Sequence, residues 1–141
     1  MESDRMMSEI VLRQKPATLP VHATVLEACR IMRERRIGAI LVTDKDGHLC
    51  GLFTGRDAVC RVLAEVRDPA KTRLGTVMTP NPDTIGPRAQ AIEVLRMMHD
   101  GGYRHMPVVD NGAIIGIASH GDFSGRERAR LDDETGFWEI L

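Results

Sequence analysis

The chain has 141 residues, 43% of them apolar and 28% charged, and a formal net charge of −1. That suffices for one compact domain or two small halves sharing a core, within the composition range of soluble globular proteins. The charge balance argues against a general attraction for nucleic acid or anionic membrane, 4% aromatics argue against a base-stacking platform, and no apolar run reaches bilayer-spanning length.

The opening Met1-Glu2-Ser3-Asp4-Arg5-Met6-Met7 lacks the basic start and apolar core of a signal peptide, so a cytoplasmic location is expected. Cys29, Cys50 and Cys60 are odd in number and form no Cys-x-x-Cys, which favours buried free thiols over a disulfide framework or zinc site. His22, His48, His99, His105 and His120 show no close metal-ligand spacing, so no metal site is expected. The common phosphate-loop, dinucleotide, nucleophile-elbow and metalloprotease patterns do not occur.

The chain repeats itself. A shift of 66 positions places Thr18 on Thr84, Ala23 on Ala89, Glu27 on Glu93, Arg30 on Arg96, Met32 on Met98, Val42 on Val108 and Asp44 on Asp110. One residue is then lost in a predicted turn, and a shift of 65 places Gly51 on Gly116, Thr54 on Ser119 and Asp57 on Asp122.

In chain order, residues 1–7 read as a loose or partly helical lead-in. Ile10-Val11-Leu12 corresponds to Thr76-Val77-Met78, each followed by a proline-containing connection that resists helix. A helix follows in each copy: Val25, Ala28, Cys29 and Met32 make one apolar stripe, and Ala91, Val94, Leu95 and Met98 make the other. Thr24 is a candidate cap, and Gly38 and Gly101-Gly102 mark where the helices give way. Strand pairs come next, Ala39–Val42 with Leu49–Phe53 and Met106–Val109 with Ala113–Ile117, joined through Asp44-Lys45-Asp46-Gly47 and Asp110-Asn111-Gly112. Their nearly continuous apolar character predicts sheets covered on both faces. Pro107 must begin its strand or lie at an edge. A second helix starts at each hydroxyl-x-x-acid sequence, with Ala58, Val59, Val62, Leu63 and Val66 as the apolar face of the first and a mostly polar counterpart after Phe123. The expected divisions are a first repeat over 8–66, a linker over 67–73, a second repeat over 74–130 and a tail over 131–141. The tail holds Phe137-Trp138, which would cover the second half or dock on another subunit.

The chemistry-bearing stretch is Gly51-Leu52-Phe53-Thr54-Gly55-Arg56-Asp57, which returns as Gly116-Ile117-Ala118-Ser119-His120-Gly121-Asp122. Unpaired N–H groups and the positive dipole end at a helix start suit an anion such as phosphate, with the hydroxyl as a further donor. The acid one turn in can accept hydrogen bonds from a sugar's hydroxyl pair. Equally, Thr54 with Asp57 and Ser119 with Asp122 can be plain helix caps.

Strand, helix, strand pair and helix, twice in tandem, each copy ending in this motif, resembles a pair of CBS domains, the Bateman module, over about residues 8–130. Tyr103-Arg104-His105-Met106-Pro107-Val108-Val109-Asp110 is similar to the family's Arg-x-apolar-Pro-Val stretch, and Val77-Met78-Thr79 to the usual lead-in. The resemblance implies a mixed α/β (α+β) fold of two β-α-β-β-α repeats about a pseudo-twofold axis. It also implies two clefts between the repeats, disc-like homodimers, no catalytic activity and an adenosine-containing ligand: AMP, ADP, ATP, NAD or S-adenosylmethionine. Carried over by position, Asp57 and Asp122 would hold ribose hydroxyls, and Thr54 and Ser119 would meet phosphate or the sugar edge. Thr18 and Thr84 would lie near the base or sugar, and the backbone around Ile37-Gly38-Ala39 and His105-Met106-Pro107 would face the base. Arg56, His120, Arg104 and His105 would meet phosphate charge, or else are solvated surface residues. The first copy lacks the basic pair and the proline, so unequal sites are expected.

The implied function is regulation of an unidentified protein in trans by an adenine nucleotide. The alternative is a ligand-free CBS dimer acting as a protein–protein interaction scaffold. An enzyme is disfavoured because no nucleophile–base pair follows from spacing. Arg126, Arg128 and Arg130 form a local basic stripe that reads as a solvated helix face.

Overall fold

The computed structural model describes residues 4–135, with only the backbone described for 132–135. Its elements run α1 (Met7–Ile10), β1 (Thr18–Pro20), α2 (Val25–Arg35), β2 (Ala39–Thr43), β3 (Leu49–Thr54), α3 (Gly55–Asp57, continuing as a π-helical segment Ala58–Leu63), α4 (Leu74–Val77), β4 (Thr79–Pro80), α5 (Ala91–Gly101), β5 (His105–Asp110), β6 (Ala113–Ser119), a 3₁₀ turn (His120–Asp122) and α6 (Gly125–Thr135). The architecture is mixed α and β, and the tandem repeat is visible in the backbone. In the first copy β1 runs parallel to β2 with Leu19 opposite Val42, and in the second a single parallel bridge sets Ile85 opposite Val108. Both pairs differ by the 66-residue shift of the sequence.

The chain forms two compact units, and neither is continuous in sequence. One draws on the segment ending at Gln14, Asp83–Asn111 and the segment from Ile115 onward; the other comprises Lys15–Pro82 with Gly112–Ile114. The short helix ahead of each repeat packs into the core of the other repeat's unit. Met7 and Val11 are buried with Ala91, Val94, Leu95 and Met98, while Leu74 and Val77 are buried with Ala23, Val25 and Ala28. The backbone bonds that seat the two helices are copies of each other. Met7 N donates to Ala89 O at 2.8 Å and Leu74 N to Ala23 O at 2.8 Å; Ala91 N donates to Arg5 O at 2.7 Å and Val25 N to Thr72 O at 2.9 Å. Of the triplet Ile10-Val11-Leu12, only Val11 is buried and Leu12 is 75% exposed; Met7 supplies the other buried side chain.

The four-stranded sheet has the order β1-β2-β3-β4. Ala39–Val42 on β2 and Gly51–Phe53 on β3 are all buried, as the continuous apolar runs predict. The β2–β3 turn is closed by Asp44, whose Oδ1 accepts from Asp46 N at 2.9 Å and His48 N at 3.0 Å. The second copy keeps a two-stranded sheet, β5-β6. Its turn places Asn111 at φ 49° and Gly112 at φ 84°, the left-handed pair of a type I′ hairpin. Pro107 lies within β5 rather than at its start. Its missing N–H falls on the side of the single bridge to Ile85, where little ladder exists to interrupt.

Several local expectations change. Thr24 caps α2 by accepting from Glu27 N at 3.2 Å, but α2 ends on Arg36 in the left-handed region, two residues before Gly38. Glycine does end α5, at Gly102. The segment after Asp57 is π-helical, and of its apolar residues only Val62 is fully buried; Val59 is 57%, Leu63 66% and Val66 90% exposed. The wider π turn rotates Val59 and Leu63 off the face that a 3.6-residue period assigns, and Val66 lies beyond that segment in the left-handed region, at φ 56°. The second copy has one 3₁₀ turn after Ser119, and its helix begins afresh at Gly125 under a new cap. Ser124 Oγ accepts from Glu127 N at 3.1 Å, and the Glu127 carboxylate accepts from Ser124 N at 2.8 Å. All three cysteines are free, yet Cys60 is exposed and Cys29 and Cys50 are only half-buried. Phe137-Trp138 lies outside the described residues.

Candidate functional site

Each repeat brings its strand-end residues together at one place. In the first, Thr54 ends β3 opposite Ala39 at the start of β2, and Gly55 N donates to Gly38 O at 3.1 Å. In the second, His120 N donates to Arg104 O at 3.0 Å, the equivalent bond. Ile37, Gly38 and Ala39 therefore adjoin Thr54 and Asp57, while Arg104 and His105 adjoin Ser119, His120 and Asp122. Thr18 sits exposed on β1 opposite Leu41, and Thr84 is exposed one residue before the Ile85 bridge. Met106 and Pro107 are buried, Met106 completely, so their side chains belong to the core and only backbone is left for recognition; Ile85 N already takes the Pro107 carbonyl, at 3.1 Å.

The two acids make helix-cap bonds, as one of the sequence alternatives requires. Asp57 Oδ2 accepts from Thr54 N at 3.0 Å and Thr54 Oγ1 at 3.2 Å, and Asp57 N donates back to Thr54 Oγ1 at 3.2 Å. Asp122 Oδ2 accepts from Ser119 N at 2.7 Å and Ser119 Oγ at 3.2 Å. In both copies the carboxylate's cap bonds fall on one oxygen, so capping and a second use of the other oxygen are geometrically compatible. Capping also holds each carboxylate at a defined place on the strand end.

The environments differ. Asp57 is 8% exposed, and its Oδ1 lies 3.5 Å from Arg61 Nε. Arg61 also donates to Met78 O at 3.0 Å, tying the acid to the segment that follows α4. Arg56 is exposed. Asp122 is exposed, and Arg5 donates to its carbonyl at 3.0 Å while pairing with Glu127 at 2.6 Å. Burial pushes the His105 imidazole below its ordinary pKa, Arg104 pushes it the same way, and Asp122 partly opposes. His120 is likewise lowered by burial, then by Arg104 and Arg128. The anion argument from the helix dipole is weaker in this copy, because only a single 3₁₀ turn stands behind Ser119.

Sequence reasoning missed Arg61 and Arg5, and read Arg128, which is exposed, as part of a solvated helix face. Arg61 was discoverable, four residues beyond Asp57 on one helix. Arg5 meets Glu127 across 122 positions, and no local pattern announces that. The structure also gathers possible ligand atoms of Asp44, Asp46 and His48 within 4.8 Å of one another, where the histidine spacing suggested nothing. The bonds of Asp46 N and His48 N to Asp44 account for that cluster as turn chemistry.

The sequence model of the CBS domain matches residues 7–63 and again 74–126. The chain belongs to the CBS domain family. The CBS domain-containing protein CBSCBSPB1 of Arabidopsis thaliana is 39% identical over 103 residues, 73% of this chain and 19% of that protein. The chain thus spans about a fifth of the length of the first curated relatives. Among solved structures, the CBS-domain containing protein ATU1752 from Agrobacterium tumefaciens is similar at a TM-score of 0.76 and 29% identity, over 83% of this chain and 89% of that one. The CBS domain protein PAE2072 from Pyrobaculum aerophilum, solved in complex with AMP, has a TM-score of 0.81 at 24% identity, over 92% of this chain and 99% of that one. At that identity the likeness speaks for the CBS fold alone. Among the described residues no helix is long and apolar enough to cross a membrane.

Proposed function

We propose that this tandem CBS pair is a non-catalytic regulatory module that binds an adenosine-containing nucleotide and acts on a partner protein. The observation that carries the reading is the duplicated hydroxyl–acid turn, in which each carboxylate caps through Oδ2 and keeps its other oxygen outside the cap. A ribose hydroxyl pair needs such a fixed acceptor, and Thr54 and Ser119 stand beside it for the sugar edge or phosphate. The same fold holding AMP in the Pyrobaculum protein fits an adenosine ligand. AMP, ADP and ATP lead the candidates, with NAD and S-adenosylmethionine behind. The regulatory effect would come from the ligand's differential affinity for two states of the module.

Asn can keep the cap bonds on its carbonyl oxygen while losing the second acceptor. Asp57→Asn and Asp122→Asn therefore separate a sugar role from a capping role. Hydrogen bonds to a charged group contribute about 1.5–3 kcal/mol each, so either variant weakens its own site about tenfold or more. Calorimetry with AMP, ATP and NAD reads this; unchanged affinity in both variants rejects the ribose role.

A second reading, a ligand-free scaffold, is favoured by the same caps, which give both acids a purely structural duty. A thermal-shift panel of adenosine ligands separates the two, since only a ligand bound to the native state raises stability by mass action.

A further inference from the structure

The last helix of each repeat is attached in a different way. In the first repeat the chain itself makes the join. The π-helical segment runs on to Arg67, whose N donates to Val62 O at 2.9 Å, and then to Asp68, whose carbonyl takes Thr72 N at 3.0 Å and Thr72 Oγ1 at 2.8 Å. Thr72 is the residue whose own carbonyl holds Val25 N, at 2.9 Å. In the second repeat Arg5 stands in that place, with its carbonyl on Ala91 N at 2.7 Å. No short stretch of chain can join Arg5 to α6, because Arg5 and Glu127 lie 122 positions apart. Side chains make the join instead. Arg5 Nε and Nη2 donate to the two Glu127 carboxylate oxygens at 3.3 and 2.6 Å, and Nη2 also donates to Asp122 O at 3.0 Å. One residue earlier, Asp4 Oδ1 accepts from Arg130 Nη1 at 2.8 Å. The apolar share of the attachment is small: from Gly125 to Leu131 only Leu131 is buried.

We propose that Asp4 and Arg5 form an ionic latch on α6, and that α6 is a releasable arm of the second repeat. The arm leaves and re-docks from Ser124 onward while the core behind it stays folded. Phe123, 1% exposed, anchors its root. Beyond that root, holding the arm rests on one leucine and on ion pairs between partly exposed groups, whose attraction salt screens. A free helix of 11 residues is marginal in water, so a released α6 frays and its amides exchange. The first repeat has no such freedom, since its equivalent segment is tied at both ends by the chain. The bond to the Asp122 carbonyl sets the latch against the strand-end turn of the second repeat, so one guanidinium links the turn to the position of α6. The latch needs no ligand, and it holds whether or not that turn takes a nucleotide.

Hydrogen exchange read by mass spectrometry on the full chain, at about 0.05 M and about 0.5 M salt, tests this. In the wild type, α6 should exchange about fivefold faster at the higher salt, with α2 and α5 as unresponsive internal controls. Arg5→Gln should speed α6 exchange about tenfold at low salt and remove most of the salt response. Glu127→Gln removes the charge but keeps the cap on Ser124, since Gln serves in a capping box. It should act in the same direction, and the double variant should exchange no faster than Arg5→Gln alone. Additive effects would mean that the two residues act separately, and they overturn the latch. Equal acceleration of α5 and β5 would mean a general loosening, and it overturns the release. An α6 indifferent to salt in the wild type overturns the proposal without recourse to any variant.

Discussion

Gly51 and Gly116 show how much a single residue type can carry without announcing it. A Cβ on Gly51 would lie 2.1 Å from Met78 Sδ, and one on Gly116 would lie 2.6 Å from Val11 Cβ and 2.7 Å from Gln14 Oε1. Both are places where the segment leading into one repeat crosses the last strand of the other. The neighbours are not alike. A methionine thioether can swing aside, whereas a β-branched Val11 next to its own backbone cannot. Gly116→Ala should therefore cost about 1–3 kcal/mol by overpacking, and Gly51→Ala clearly less. Urea denaturation reads this as a lower midpoint at unchanged slope; equal losses in the two variants would mean that the crossings do not differ in stiffness. The motif's glycine was plain in the sequence, and so were the hydroxyl and acid beside it. The hydroxyl and acid act on their own turn, which short spacing exposes. The glycine answers to a residue tens of positions away, which spacing cannot expose.

Among elements, α1 and α4 are too short to hold together alone and take their stability from burial. Met7 and Leu74 are each 0% exposed. Truncating a buried Met or Leu costs about 2–5 kcal/mol, and here the cost should fall on the far repeat. Met7→Ala should speed hydrogen exchange in α5 and β5, and Leu74→Ala in α2 and β2. If Met7→Ala instead loosened α2, the observed packing would be wrong. Helix and strand identities in both repeats were readable from periodicity, because each buries its own stripe or run. The start of α6 was not. The fold breaks the chain at Phe123, which is buried in the core with α5, and the helix resumes from the Ser124–Glu127 box under the hold of Arg5. The i,i+4 spacing of Asp57 and Arg61 supports one continuous helical run, and the first copy keeps it.

For the whole molecule, the resemblance implies a homodimer, and we propose that the exposed Val59 and Leu63 are where a second copy would pack. Isolated apolar side chains are ordinary on a protein surface, but residues four apart on one helical segment form a continuous strip. Leu63→Glu should leave the fold intact, because the side chain is 66% exposed, and should convert the proposed dimer to a monomer in sedimentation equilibrium. A wild type already monomeric at tens of micromolar, or a variant of unchanged mass, rejects that arrangement. The net charge of −1 hides the local contrast between a compensated Asp57 and a basic surround at Asp122. Only the repeat alignment, with Gly38-Ala39 set on Arg104-His105, hinted at it.

The sequence by itself determined the duplication, the strand and helix types, the two hairpins and the paired hydroxyl–acid turns. All of these are local or periodic, so neighbouring residues suffice to encode them. Tertiary structure alone decided which lead-in helix fills which core, what Arg5 faces, and how much of the helix after Asp57 stays uncovered. These depend on segments tens of residues apart meeting at one place, and side-chain volume and charge have no reach along the chain that would reveal such meetings beforehand.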